Sequence, residues 1–397
     1  MIKREEYLED LLNFKEKKLI KVVTGIRRCG KSTLFEIYQS ELLCNGVSSA
    51  QIITVNLEDG DYRHVRTSEA LYEYVSGRLL RDKMNYVFLD EVQQVKDFQE
   101  AVDWLYVKKN VDLYITGSNA YLLSGELATL LSGRYVEIKM LPLSFREYIS
   151  AFPGNTNTSQ LYMNYLTNSS FPGTLELERK QDIRMYLEGI YNTILMKDIV
   201  TRRKISDPSM LESVVAFMFD NIGNVCSSTK IANSMTSAGR KISVPTVESY
   251  LSALTDSFIL YKVGRYDIKG KQHLATGFKY YAADIGLRYF LLGTRQTDMG
   301  HILENIVYLE LLRRGYEVYV GKTGDTEVDF ITFNSEGEEY YQVSLSVLDE
   351  KTLRRELSSL EAIKDHNPKY LLTMDYTPLT SHNGIKQINV LEWLTKK

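Results

Sequence analysis

Cysteine is scarce in this sequence. Its 397 residues include only Cys29, Cys44 and Cys226. The number is odd and the spacing wide, which excludes a disulfide framework and offers no zinc-ligand pattern. Long apolar runs are missing too: none reaches the roughly 18 residues that carry a helix across a bilayer. The opening "MIKREEYLEDLLNFKEKK" is too charged to hold the apolar core of a signal peptide. A reducing cytoplasm is the expected setting, with no membrane partner. Excess charge is also lacking. The net charge of -3 gives no global basic signature, so binding to nucleic acid would need a local patch. With 44% hydrophobic residues, 25% charged residues and only 7 prolines, the composition is that of an ordinary soluble protein. Its length predicts two or three domains.

The most specific stretch is "LIKVVTGIRRCGKSTLFEIYQSELL". Leu19 to Thr24 form an apolar, β-branched run expected as a buried strand. Next comes a full G-x-x-x-x-G-K-[ST] match, followed by a helical pattern with Leu34, Ile37, Tyr38 and Leu42 on one face. Strand, glycine loop and helix are the context that a phosphate-binding loop requires. Gly25, Ile26, Arg27, Arg28, Cys29, Gly30, Lys31, Ser32 and Thr33 are therefore expected to cradle ATP. In this reading Lys31 reaches the β- and γ-phosphates, the Ser32 hydroxyl ligates Mg²⁺, and the helix N-terminus adds partial positive charge. Cys29 lies inside the loop, so a bulky thiol reagent should block nucleotide unless the thiol is buried.

A second carboxylate system follows in "MNYVFLDEVQQV", where an apolar strand ends in Asp90-Glu91. Asp90 is expected to hold the metal through water, and Glu91 to polarise the attacking water. The runs "QIITVNLE", "VDLYITGSNA" and "GRYVEIKM" complete a predicted five-stranded parallel sheet, with helical stretches such as "DFQEAVDWLYVKK" as crossovers.

With these motifs in place, residues 15–150 resemble an AAA+-type P-loop ATPase. The resemblance implies that Asn119 in "TGSN" orients the lytic water, although Asn119 is equally suited to cap the helix that follows. It also implies that Arg134 in "LSGRYVEI" contacts the γ-phosphate of a neighbouring subunit, which would require a homo-oligomer. Farther on, "LPLSFREY", "FPG" and "YLEGIYNTILMKDIVTRRKI" resemble the linker signatures of a bacterial and archaeal group. Its members pair this ATPase with a C-terminal domain of unknown function.

The fold class expected is α/β. A P-loop NTPase domain with a five-stranded parallel sheet occupies residues 1–155, and a helical linker or lid residues 156–205. A winged-helix domain follows over 206–297, then a C-terminal α/β restriction-endonuclease-like domain over 298–397. In the winged-helix segment, Ser243 is expected to cap the third helix and Pro245 to lie in its first turn. That helix offers Thr246, Glu248, Ser249 and Ser252 rather than a row of arginines. The predicted wing is more basic, with Lys262, Arg265, Lys269 and Lys271 around Asp267. Residues 206–297 hold ten Lys/Arg against seven Asp/Glu, an excess of 3. DNA through the wing around Lys262–Lys271, or an unknown protein partner, both stay open on this evidence.

From Gly300 the order helix, three strands, helix, strand resembles the core of restriction-endonuclease-like proteins. Their site places an Asp on one strand and Glu-x-Lys on the next, often with a Glu on the first helix. Glu304 and Asp329 match two of those carboxylates. The next strand carries Gln342-Val343-Ser344, so the second strand carboxylate has become an amide and the lysine a serine. A lysine supplied from the following helix, by Lys351 or by Arg354 in its place, would be the rescue. The plainer reading is Glu304 as a helix-face acid and Asp329 as a strand-end carboxylate paired with Lys322 or Arg313. The expectation is a degenerate site in which nuclease activity is lost.

Overall fold

The structure is a computed structural model that describes residues 2–118, 131, 133–293, 298–376 and 380–396. The chain divides into two units, Met1–Pro142 with Asp256–Phe258, and Leu143–Thr255 with Ile259–Lys397.

The first unit begins with α1 (Glu5–Asn13) and β1 (Ile20–Thr24). It continues through α2 (Lys31–Cys44), β2 (Ile52–Asn56), α3 (Ser68–Ser76), β3 (Asn85–Asp90), α4 (Phe98–Val107), β4 (Val111–Gly117) and β5 (Tyr135–Lys139). The strands form the expected five-stranded sheet, in the order β2-β3-β4-β1-β5, with every pairing parallel. Both faces are covered, which is why β1, β3 and β4 are buried along their whole length. On one face Val87, Leu89 and Leu113 pack with Leu71 and Val75 of α3 and Val102 and Leu105 of α4. On the other, Phe88 stacks on Tyr114 at 4.8 Å, and Phe35 of α2 meets Phe88 edge-on at 5.1 Å.

One feature of this sheet is invisible in the sequence. Lys21 of β1 and Asp112 of β4 form an ion pair whose side chains are 0% and 1% exposed. Asp112 also accepts from Glu16 N at 2.8 Å and from the Tyr114 hydroxyl at 2.7 Å. Burial pulls the Lys21 ammonium below its usual pKa, outweighing the attraction of Asp112. Desolvation thus offsets much of the attraction, so the pair adds little net stability although either charge alone would be costly.

The second unit starts with α5 (Phe145–Ser150), α6 (Thr158–Asn168) and α7 (Lys180–Asn192), which runs into π-helical turns over Thr193–Thr201. Three helices come next: α8 (Pro208–Asp220), α9 (Ser228–Ser237) and α10 (Val244–Asp256). The hairpin β6 (Leu260–Asp267) and β7 (Gln272–Ala282) leads to α11 (Ile285–Leu292) and α12 (Met299–Arg313). Then come β8 (Glu317–Thr323), β9 (Thr326–Asn334), β10 (Gly337–Ser344), α13 (Glu350–Glu361), β11 (Lys369–Thr373), β12 (Thr380–His382), β13 (Ile385–Asn389) and α14 (Val390–Thr395). The eight strands form one sheet, ordered β12-β13-β11-β10-β9-β8-β6-β7. The hairpin β6–β7 is thus the edge of the C-terminal sheet, with β6 parallel to β8.

The residue just before "FPG" is fixed by one buried carboxylate. Asp284 Oδ2 accepts from Ser170 N at 2.7 Å and Ser170 Oγ at 2.6 Å, while its Oδ1 caps α11 through Leu287 N at 2.8 Å. Gly286 is required there, because a Cβ would lie 2.4 Å from the Ser169 Cα. No helix among the described residues is long and apolar enough to cross a membrane.

Breaking the buried pair on one side should be far worse than removing both charges. Lys21→Met is expected to destabilise the first unit by about 3–5 kcal/mol, and Lys21→Met with Asp112→Asn by much less. Urea unfolding followed by Trp104 fluorescence in a Trp393→Phe background measures both.

Candidate functional site

At the carboxyl end of β1 the chain turns through Gly25, with φ +152°, Arg28, with φ +68°, and Gly30, with φ +104°. Gly25 admits no side chain, since a Cβ would sit 2.1 Å from the Met140 carbonyl oxygen. Gly30 starts α2 without a side-chain cap, so the first amides of the helix remain as donors facing the loop. Lys31 is buried and donates to the carbonyls of Gly25 at 3.0 Å and Ile26 at 3.3 Å. Its ammonium is 3.8 Å from Glu91 Oε1. Ser32 is exposed, Thr33 half-buried, and Arg27 binds Glu58 at 2.8 Å just past β2.

Asp90 and Glu91 are both buried at the end of β3, on the same edge of the sheet. Glu91 adopts a left-handed conformation, φ +55°, which is strained for a residue with a side chain. Thr116, near the end of β4, holds both acids. Its hydroxyl donates to Asp90 Oδ1 and accepts from Glu91 N at 2.9 Å. Glu91 Oε2 in turn accepts from Gln93 Nε2 and from Ser118 Oγ at 3.3 Å. A donor set of helix amides, an ammonium and a hydroxyl, facing fixed carboxylates, fits a nucleotide with Mg²⁺.

Two further residues of this site escaped the sequence reading. Thr116 lies beside the "TGSN" stretch but carries no motif of its own. Arg4 is 3% exposed and donates to the carbonyls of Cys29 at 2.9 Å and Leu141 at 2.6 Å, bracing the loop from behind. Asn119 lies outside the described residues. Arg134 immediately precedes β5, at the edge of the sheet opposite the loop, where it pairs with Asp103 and lies 5.6 Å from the Tyr106 ring. Cys29 is fully buried, and burial pushes its thiol pKa up. The loop therefore does not present a reactive thiol.

In the second unit, Gln342 on β10 bonds the backbone of Asp329 on β9, while Glu304 on α12 is held by an unforeseen lysine. Lys279 of β7 binds Glu304 Oε1 at 2.9 Å and Glu327 Oε1 at 2.8 Å. Although burial alone would lower the Lys279 pKa, Glu304, Asp329 and Glu327 together raise it. Burial, and then the charge of Glu304, lift the Asp329 carboxyl to about 8. Neither expected rescue reaches the site: Lys351 is exposed, and Arg354 pairs with Glu350 on the surface of α13. Nor does Arg313 take the expected part, since it pairs with Glu310 at 3.3 Å.

Arg4→Ala would leave the Cys29 and Leu141 carbonyls without their donor inside the unit. A loss of about 2–4 kcal/mol is expected from urea unfolding, read by Trp104 in a Trp393→Phe background. Labelling of the native protein with a bulky maleimide should modify exposed Cys44 and spare Cys29 and Cys226, which react after unfolding. Mass spectrometry of the labelled peptides checks this.

A family model described as an AAA domain matches residues 17–149, and one described as a domain of unknown function (DUF8612) matches residues 159–298. An uncharacterized protein of Haemophilus influenzae is 40% identical over 99% of this chain and 98% of its own length. An uncharacterized protein of Methanocaldococcus jannaschii is 30% identical over 87% of this chain and 79% of its own. Among solved structures, a Walker-type ATPase of Pyrococcus abyssi shares the fold. Its TM-score is 0.52 at 16% identity, over 73% of this chain and 96% of that one. With the loop, the paired acids and the parallel sheet all in place, the chain belongs to the family of these bacterial and archaeal relatives, built on an AAA-type P-loop ATPase domain.

Proposed function

We propose that the protein binds ATP with Mg²⁺ and hydrolyses it, and that nucleotide state changes the arrangement of the second unit. The observation that carries this reading is the convergence of Lys31, Asp90 and Glu91 at one sheet edge, with both acids fixed by Thr116. Amides of the Gly25–Thr33 loop hold the phosphates, and the Lys31 ammonium exchanges the Gly25 and Ile26 carbonyls for phosphate oxygens. Ser32 and Asp90 hold the metal, which when bound neutralises charge on the phosphate oxygens. Glu91 orients the attacking water and takes its proton. Asn119 retains its proposed role of positioning that water.

A slow, nucleotide-gated switch is the second reading, and the position of Arg134 favours it. In β5, which runs parallel to β1, the start of the strand is roughly 13 Å or more from the loop end. From there Arg134 serves only a neighbouring subunit, and only after release from Asp103. An isolated chain would then turn over slowly, and assembly would speed it.

The segment α8–α9–α10 with hairpin β6–β7 is proposed as a winged helix, and α12 through β11 as a restriction-endonuclease-like core without its reaction. DNA contact through the hairpin rests on Lys269 and Lys271, both exposed at its tip. Lys262 is 3.7 Å from the Phe278 ring, and Arg265 is 4.0 Å from Glu327, so both are engaged. On α10, Glu248, Ser249 and Ser252 are exposed and supply no positive charge. A protein partner is therefore favoured over DNA.

Steady-state ATP turnover, with and without duplex and single-stranded DNA, tests these readings. Glu91→Gln should keep nucleotide binding and lose roughly 100-fold or more in turnover. Lys31→Ala should weaken binding roughly tenfold or more. Unchanged turnover in Glu91→Gln would remove Glu91 as the base. Stimulation by DNA of several-fold, lost in the mutant, would replace the protein-partner reading with a DNA-coupled one.

A further inference from the structure

The second unit holds a group of buried carboxylates that the ATPase reading does not use. The likeness to restriction-endonuclease-like proteins would place a divalent ion among Glu304, Asp329 and residue 342. The residues present do not fit one. Gln342 Oε1 accepts from Asp329 N at 3.3 Å and Ser359 Oγ at 3.2 Å, and its Nε2 donates to Glu356 at 2.8 Å. Asp329 Oδ2 accepts from Val343 N at 2.8 Å, and Glu304 Oε1 from the Tyr281 hydroxyl at 2.5 Å. The oxygens that a metal would need are thus turned toward protein donors. Among the described residues, no group of three or more His, Cys, Asp or Glu side chains is arranged to hold a metal ion.

Instead an amine stands among them. Lys279 contacts Glu304 and Glu327, and its side chain is 5% exposed. We propose that Lys279 is the resident cation of this site, its ammonium standing where a divalent ion would neutralise the carboxylates. A tethered ammonium neutralises without a loading step and cannot be chelated away. It brings one charge rather than two. Glu327 turns to Arg265 at 4.0 Å for the second, so Lys279 and Arg265 face Glu304 and Glu327 as two cations against two anions.

The choice of strand gives the site a mechanical role. Lys279 lies on β7, the outermost strand, while Glu304 lies on α12 and Glu327 on β9. In the sheet order, β8 and β6 separate β9 from β7, so the bond ties strands that share no backbone pairing. It holds the hairpin against the body of the C-terminal sheet, where a mobile wing would need to swing free. His301 Nδ1 lies 3.6 Å from Glu304 Oε2. This inference is independent of the ATPase reading.

Unfolding of the second unit, read by Trp393 fluorescence in a Trp104→Phe background, tests it with and without millimolar Mn²⁺. Mn²⁺ binding is followed in parallel by electron paramagnetic resonance. Wild type should neither bind Mn²⁺ at this site nor gain in Tm. Lys279→Met should lose roughly 6–20 °C in Tm, the effect of stranding a buried anion in a unit of this size. Mn²⁺ should neither bind nor recover that loss, because the oxygens stay turned toward their protein donors. Lys279→Met with Glu304→Gln should return to within a few degrees of wild type and ignore Mn²⁺. If Lys279→Met does not fold, recovery of folding in the double variant supports the proposal, and a double variant that is equally unfolded overturns it. An unchanged Tm in Lys279→Met would also overturn it, as would a Mn²⁺-dependent rise in wild type that Glu304→Gln abolishes.

Discussion

Parallel pairing in nearly flush register is the constraint on which the first unit depends. Thr24 of β1 lies beside Gly117 of β4, Leu89 of β3 beside Ile115 of β4, and Asn56 of β2 beside Asp90. Four strands consequently end on one edge, and whatever follows them in sequence is gathered there. The glycine loop follows β1, Glu91 and its left-handed turn follow β3, and Ser118 follows β4. Because side chains alternate across a sheet, a slip of one residue in β3 would turn Asp90 away from Thr116. The aromatic layer of Phe35, Phe88 and Tyr114 on one face, and the aliphatic layer on the other, resist that slip together.

The two units each set a buried lysine among carboxylates, with opposite results. Lys31 rests on two backbone carbonyls and is 3.8 Å from Glu91, a loose arrangement. Lys279 is closed on Glu304 and Glu327 at hydrogen-bond distance. The surrounding strain differs as well. Glu91 is held at positive φ by bonds to its neighbours, whereas no positive φ is found at Glu304, Asp329 or Gln342. A lysine already paired on two sides is built for holding.

How much of this was legible in the sequence differed by element. The glycine loop, the Asp90-Glu91 pair and the five parallel strands announced themselves, because each is a local pattern with a local cause. Glycine is needed where a Cβ meets Met140, and β-branched runs are needed where both faces are covered. Bracing contacts were not legible. Arg4 reaches Cys29 across 25 positions and Leu141 across 137, and nothing near Arg4 in the sequence distinguishes it from an exposed arginine ahead of a helix. The hairpin looked like a free wing, since its turn residues and alternation are the same whether or not a third strand pairs with it. Only β8, some 50 residues on, decides that β6 is interior.

The question of the C-terminal site shows the division most clearly. Sequence alone established that the strand tripeptide ending at Ser344 lacks both the carboxylate and the lysine, because residue type at a fixed spacing is a one-dimensional fact. It pointed for a replacement to the next helix, where Lys351 and Arg354 are near in sequence. Tertiary structure supplied Lys279 from 50 residues before Asp329, along a strand assigned to another domain. Charge neutralisation is a matter of distance in space, and a buried carboxylate takes whichever cation the fold brings within about 3 Å. The local patterns therefore determined the glycine loop and the acids at the sheet edge, while the packing of β7 against α12 and β9 decided which cation meets Glu304.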